Sequence, residues 1–327
     1  MAKTFKWAII GTGRIANEMA HDLQLLKNVE ITAVLSRTQE NAEKFAKKYS
    51  IPNIFFNRDE FAAFTDVDVV YVASPHNAHY VDTMLCLESG KNVLCEKAMA
   101  VNAREAAAMI NKAGEKQLFL MEAMWMAFFP AIQKAQTLIQ KGKIGEVRQI
   151  DANFFFYKTD DPKHRLLNPD LAGGAMLDIG IYVLYFAILM MNELPVSSSS
   201  VAYLGKTGVD ESSSYLLRFK KGTVATLASS VMVEAERNAA VYGTAGKIQV
   251  PLFWNPDKFY CIKNGKKKTY KYKRQGNGFT FEAEHVMDCI KKGKIESNVI
   301  THEHSLKLAE LMDSFRREWG LKYPFEA

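Results

Sequence analysis

The sequence is poor in the features that mark small stapled or membrane-bound chains. Four cysteines, Cys86, Cys95, Cys261 and Cys289, show no C-x-x-C spacing. They suggest neither a disulfide framework nor a zinc site, and reduced, buried thiols are expected. Long apolar runs are missing too. The greasiest, 179–191, holds thirteen residues before Asn192-Glu193, short of the roughly 20 that cross a bilayer. A buried core helix is expected there, with no membrane partner. No secretory leader is read at the N-terminus, where 5–10 is strand-like and opens directly into glycines. A cytoplasmic location is therefore expected. The excess of one charge sign is modest: the formal net charge is +6. That suits anionic small ligands and makes no case for nucleic acid. There is no internal repeat.

What is present is ordinary globular material, 48% hydrophobic and 24% charged, in a length of 327 residues that suits two domains. In the first third, apolar runs at 7–10, 31–35, 54–56, 67–73, 93–95 and 118–121 are mostly separated by segments of helical periodicity. This strand–helix rhythm predicts a parallel, doubly wound sheet of the Rossmann type. Ser74-Pro75 reads as an N-cap followed by proline at the first helical position, and Gly90 as the stop of that helix. After about Phe129 the character changes. A helix at 132–141 is followed by β-like stretches at 147–157, 198–204, 213–219, 223–233, 239–242 and 259–262, divided by glycine or charged turns. The expectation is an α+β second domain, 126–327, with a large, mostly antiparallel sheet. Amphipathic helices near 281–292 and 302–319 finish the chain.

Gly11-Thr12-Gly13-Arg14-Ile15-Ala16 is G-x-G-x-x-A between a strand and a helix. Gly11 allows the tight turn, Gly13 a close backbone approach to pyrophosphate, and Ala16 close helix–strand packing. Pyrophosphate would rest on the helix N-terminus, making 1–125 a dinucleotide-binding domain. An NAD enzyme usually ends its second strand with an acid. Here Glu30 stands at the wrong end, roughly 20 Å from the right one at about 3.3 Å per residue. The right end reads Ser36-Arg37-Thr38. A guanidinium and two hydroxyls suit a 2′-phosphate, so NADP(H) is favoured and NAD(H) remains possible. The plain alternative for Arg37 is a solvated surface residue.

Lys97 closes the run 92–97, at the carboxyl edge of the expected parallel sheet, where ligands of such folds collect. Asp178 and Tyr182, four apart on the apolar helix, share one face at α-helical spacing. An aspartate opening so greasy a helix needs a partner. It is either a carboxylate satisfied by the helix dipole or one that aligns a substrate hydroxyl or the Lys97 ammonium. His76 and His79 lack an evident third ligand, and His302-Glu303-His304 reads as a solvated helix start, so no metal site is expected. His76 reads better as a contact to the cofactor edge or substrate. The stretch 263–274 holds seven basic residues and no acid. A lysine-protected hairpin accounts for it better than a nucleic-acid surface.

Taken together, the pattern resembles the glucose–fructose oxidoreductase/inositol dehydrogenase (Gfo/Idh/MocA) family. The residues that carry the resemblance are 10–16, 90–97 and Gly173-Gly174-Ala175-Met176-Leu177-Asp178-Ile179-Gly180, with Glu296-Ser297 and Met312-Asp313 near the end. Within the family it looks most like the dimeric trans-dihydrodiol dehydrogenase type, through Glu122-Ala123-Met124-Trp125, Phe128-Phe129-Pro130 and tyrosine at 182 where many relatives have histidine. The resemblance implies that Lys97, Asp178 and Tyr182 form the catalytic group. It also implies that Trp125 flanks the substrate, that Glu96 and His76 lie near the nicotinamide ribose, and that an open sheet in the second domain pairs two subunits. Phe128 and Phe129, with Trp125, suit a planar ring or a pyranose face. The family usually reads Glu-Lys-Pro, whereas Ala98 follows Lys97 here. Without proline, a trans bond after Lys97 is expected.

The function so implied is hydride transfer between NADP and a secondary alcohol or carbonyl of a cyclic diol, polyol or sugar. Lys97 or Tyr182 handles the proton and Asp178 orients the group. The rival is an idle NADP(H)-binding redox sensor.

Overall fold

The structure is a computed structural model and describes residues 4–326. The described residues form two compact units. One holds the chain up to Trp125 together with Arg274–Leu306, the other Met126–Lys273 together with the chain from Lys307 on.

The first unit alternates strand and helix: β1 (Phe5–Ile10), α1 (Arg14–Leu23), β2 (Val29–Leu35), α2 (Gln39–Tyr49), β3 (Asn53–Phe55), α3 (Arg58–Ala63), β4 (Val69–Val72), α4 (His76–Glu88), β5 (Asn92–Glu96), α5 (Ala103–Lys116) and β6 (Leu120–Ala123). The sheet is parallel throughout, in the order β3-β2-β1-β4-β5-β6. Strands buried on both faces read as continuous apolar runs, and Val69–Val72 is buried at every residue. The order reverses between β1 and β4, which places the turns after β1, β4 and β5 around one switch point. Pro75, rather than Ser74, stands at the N-cap of α4, and Gly90 (φ +78°) follows its end.

The second unit contains α6 (Pro130–Gln140), β7 (Val147–Phe155), a π-turn at Met176–Gly180 that continues into α7 (Ile181–Met191), then β8 (Ser197–Leu204), β9 (Asp210–Arg218), β10 (Val224–Ser230), β11 (Asn238–Gly243), β12 (Gly246–Pro251), β13 (Lys258–Lys263) and β14 (Lys266–Lys271). Its eight strands run β14-β13-β12-β11-β7-β10-β9-β8. Every junction is antiparallel except β7 with β10, which is parallel. Strand β12 was not expected: Gly246-Lys-Ile-Gln-Val-Pro251 is short and half polar, and its pairing is supplied by β11 and β13. From Ile181 to Met190 every residue of α7 is buried, as a helix apolar on all sides requires. Residues 169–191 are long and apolar enough by composition to cross a membrane, but 94% of the most apolar window is buried within the protein. The helix packs on β7 and β10. The opposite face of the sheet carries Ser199 and Val201, paired with Leu216 and Ser214. Val201 is 66% and Leu216 49% exposed.

After the second unit's hairpins come α8 (Thr280–Lys291) and α9 (His302–Trp319). The sequence reading placed everything after 125 in a second domain, whereas α8 packs on α1 in the first unit. The tie is long-range. Asp22 on α1 is fully buried, and its carboxylate accepts the backbone N–H groups of Asn277, Gly278 and Phe279, each at 2.9 Å. Three donors on one buried carboxylate supply the cap that α8 otherwise lacks.

Candidate active site

In the first unit the G-x-G-x-x-A turn lies where the sequence puts it. Gly11 has φ +102°, and a Cβ there would lie 2.5 Å from the Ala73 carbonyl oxygen, so only glycine lets the turn press against the end of β4. Gly13 is the N-cap of α1, with no side-chain cap and nothing crowding it within 4 Å. The first N–H groups of α1 therefore await an acceptor, which suits a pyrophosphate. Thr12 and Ser36 hydroxyls meet at 3.2 Å. Arg37 is exposed just past β2, and Glu30 sits at its other end. Arg14 is exposed and bonds Glu18 at 2.8 Å, and Ile15 is half-buried. After β4, the Ser74 hydroxyl oxygen is buried with no hydrogen-bond partner among the described residues. An orphaned hydroxyl beside an uncapped helix start and an exposed guanidinium fits a dinucleotide.

Lys97 follows β5, half-buried. The Lys97–Ala98 peptide bond is cis, which corrects the expectation of a trans bond. The segment is fixed by its surroundings instead of by a proline ring. Ala98 and Met99 are 1% and 3% exposed, His79 Nδ1 lies 2.8 Å from the Ala98 carbonyl oxygen, and Met99 N–H donates to Glu122 Oε1 at 2.8 Å. The other ring nitrogen of His79 lies 2.8 Å from the Ser74 carbonyl. His79 thus links the turn after β4 to the segment after β5, a role the sequence did not reveal. His76 Nε2 is 3.2 Å from the Lys97 carbonyl oxygen. Glu96 accepts a short hydrogen bond from the Tyr71 hydroxyl and a second from Lys97 N–H at 3.2 Å. Burial pushes its carboxyl up to about 7, against the pull of the Lys97 charge and these bonds. Trp125 stacks on Phe279, centroids 4.4 Å apart and planes within 6°.

Glu96 has a consequence for stability. Its ordinary value is 4.5, so between that and about 7 the folded protein holds the proton more tightly than the unfolded chain. The group's contribution is complete below the lower value and is lost as pH rises through the upper one, about 3 kcal/mol in all. In thermal unfolding from pH 5 to pH 8, Glu96→Gln is expected to lose less stability than the parent. Parallel curves for the two proteins refute this.

In the second unit Asp178 falls in the π-turn, and Tyr182 is the second residue of α7. The expected α-helical spacing between them is therefore interrupted by one wider turn, of a kind frequent at functional sites. The carboxylate of Asp178 is 11% exposed and accepts from Arg165 Nη1 at 2.9 Å. This cation is a partner of Asp178 that the sequence did not reveal. Tyr182 is 7% exposed, its ring 5.8 Å from that of Phe154. Phe154 in turn stacks on the half-buried Trp254 at 4.2 Å. Phe128 and Phe129 are 3% and 1% exposed, at the end of a short 3-10 helix and the entry to α6.

The structure thus brings Gly11, Thr12, Gly13, Ser36, Arg37 and Ser74 to one end of the first sheet, with His76, Glu96 and Lys97 at neighbouring strand ends. Asp178 and Tyr182 stand together in the second unit. Sequence reasoning missed Arg165, Phe154, Trp254 and Phe279. Phe154 alone had a signal, the alternation of β7 that turns it to the α7 side. The others sit in loops or at a helix start, where no period applies.

Comparisons with known proteins agree with this fold. The pattern described as an oxidoreductase family with NAD-binding Rossmann fold (GFO_IDH_MocA) matches residues 5–124, and the GFO/IDH/MocA C-terminal domain matches 132–249. Trans-1,2-dihydrobenzene-1,2-diol dehydrogenase of Xenopus tropicalis is 36% identical, over 98% of this chain and 99% of its own. The Homo sapiens protein of the same name is 33% identical over 98% of each. Among solved structures, the aldose-aldose oxidoreductase of Caulobacter crescentus complexed with glycerol superposes with a TM-score of 0.89 at 25% identity, covering 97% of this chain and 98% of that one. Its relatives and its fold agree, and the chain belongs to the Gfo/Idh/MocA family of oxidoreductases, as a nicotinamide-dependent dehydrogenase or reductase.

Proposed function

We propose that the chain is an NADP-dependent oxidoreductase acting on a secondary alcohol or the matching carbonyl of a cyclic diol, with sugars and polyols as the wider substrate class. The observation that carries this is the full-length similarity to the dihydrodiol dehydrogenases in a chain that has Lys97 at the end of β5 and Asp178 and Tyr182 on the π-turn and α7. Ser36 and Arg37 past β2, with no carboxylate there, favour the 2′-phosphorylated dinucleotide. When bound, the nicotinamide supplies or accepts the hydride. Lys97 and Tyr182 are the two groups able to hold or move the hydroxyl proton, and Asp178, paired with Arg165, orients the hydroxyl. Trp254, half-buried and stacked on the buried Phe154 beside Tyr182, offers an aromatic wall for a planar ring, a better candidate than the deeply buried Phe128 and Phe129.

The same reading makes the protein a homodimer through the uncovered face of the second unit's sheet. That face exposes Val201, Tyr203 and Leu216 and forms a shallow groove of about 610 Å³ bordered by Asp151, Asn153 and Ser214. Four unpaired cysteines suit a reducing, cytoplasmic setting.

The test is a screen of trans-cyclic diols, aldoses and polyols with NADP⁺ and NAD⁺, followed by absorbance at 340 nm. We expect turnover with NADP⁺ and a trans-diol or aldose. Tight NADPH binding with no turnover on any of these classes would favour the sensor instead.

A further inference from the structure

The turn that presents Asp178 is anchored by a residue from another element. Asp210, the first residue of β9, is fully buried. Its Oδ2 accepts the Met176 backbone N–H at 2.7 Å and the Ser213 hydroxyl at 2.9 Å. Met176 opens the π-turn, so this N–H is one of the donors that a helix start leaves without an internal partner. Gly174, two residues earlier, has φ +124°, and a Cβ there would collide with Asp210 Oδ1. The carboxyl group therefore fills the space under the turn that any other residue at 174 would claim. Oδ1 itself is buried with no hydrogen-bond partner among the described residues. Burial pushes the carboxyl up to about 7, which suits a proton carried on that oxygen. The other side of the approach is held as firmly: Gly174 N–H donates to the Leu166 carbonyl at 2.8 Å and the Tyr323 hydroxyl to the Gly173 carbonyl at 2.6 Å. Burying a carboxyl group is costly unless it is partnered, and a strand that had only to begin a sheet has no need of one.

We propose that Asp210 is a positioning residue for the reaction: by fixing the first N–H of the π-turn it sets the aim of Asp178, two residues on. The proposal rests on the role given to Asp178 above. Loss of the acceptor leaves Met176 N–H unsatisfied in the interior, and the turn can recover only by shifting.

Asp210→Ala is expected to lower kcat about 100-fold, with KM and the NADPH dissociation constant within about threefold of the parent. Asp210→Asn, which keeps an acceptor oxygen of the same reach, should recover most of that loss. Because the effect runs through Asp178, adding Asp210→Ala to Asp178→Asn should cost little beyond Asp178→Asn alone. A parental kcat in Asp210→Ala, or a loss that simply multiplies with that of Asp178→Asn, overturns the proposal and leaves the reading of Asp178 standing. Undiminished kcat in Asp178→Asn overturns both. Should Asp210→Ala fail to fold, Ser213→Ala replaces it. Removing the hydroxyl that steadies the carboxyl group should lower kcat about fivefold while the protein still folds with a moderately lower melting temperature, and an unchanged kcat overturns the proposal.

Discussion

Lys97→Met is expected to bind NADPH within about threefold of the parent and to lose about 10³-fold in kcat. Methionine keeps the unbranched length of lysine and removes the ammonium, so packing changes little while the charge and its proton disappear. The segment that carries the side chain should survive, because it is held by other groups: His79 at the Ala98 carbonyl, Glu122 at Met99 N–H, and Glu96 at Lys97 N–H. General acid–base assistance contributes about 10²–10⁴-fold, roughly 3–5 kcal/mol of barrier. Tyr182→Phe in the same assays shows which of the two groups carries the larger share. Steady-state turnover with fluorescence titration of NADPH decides the matter. A Lys97→Met enzyme within tenfold of parental kcat removes this residue from the chemistry.

Arg37→Ala is expected to raise the dissociation constant for NADP⁺ about 100-fold and to leave that for NAD⁺ within about twofold. A charge-assisted pair between guanidinium and phosphate contributes roughly 1.5–3 kcal/mol, which is about 10- to 150-fold in binding. The second strand ends without a carboxylate, so no repulsion of a 2′-phosphate remains to be relieved. The exposed position of Arg37 adds a check: the parent's preference for NADP⁺ should shrink as salt rises, and the variant's should not. Equal affinity of parent and variant for NADP⁺ would make Arg37 a plain surface residue, and a parallel loss for both dinucleotides would point to a disturbed turn instead.

Much of the architecture was legible because it is written locally. Gly11 and Gly13 sit at a strand-to-helix junction whose geometry only certain residues allow, and the six apolar runs of the first unit are each a strand's length. The alternation along β7 through β10 likewise announces a sheet with one covered face. What escaped is written between distant positions. Asp22 meets Asn277 across most of the chain, and neither neighbourhood shows a period that implies the other. Arg165 stands in a loop, and its ion pair with Asp178 depends on how that loop folds back. The resemblance names Trp125 as flanking the substrate, but Phe279, on which it stacks, begins a helix read only as amphipathic. The backbone after Lys97 escaped for a related reason. Buried hydrogen bonds hold that segment, between His79 and the Ala98 carbonyl and from Met99 N–H to Glu122, and no single position displays them.

The bond between Asp22 and the start of α8 bears on how the protein is made. A ribosome releases α1 early and α8 only after the whole antiparallel sheet of the second unit has emerged. Until then the nascent nucleotide-binding half has a buried-type carboxylate facing water and one flank of α1 bare. Cutting the gene after codon 125 would freeze the chain in that unfinished condition, so an excised N-terminal fragment needs residues 274–306 supplied in trans to become whole.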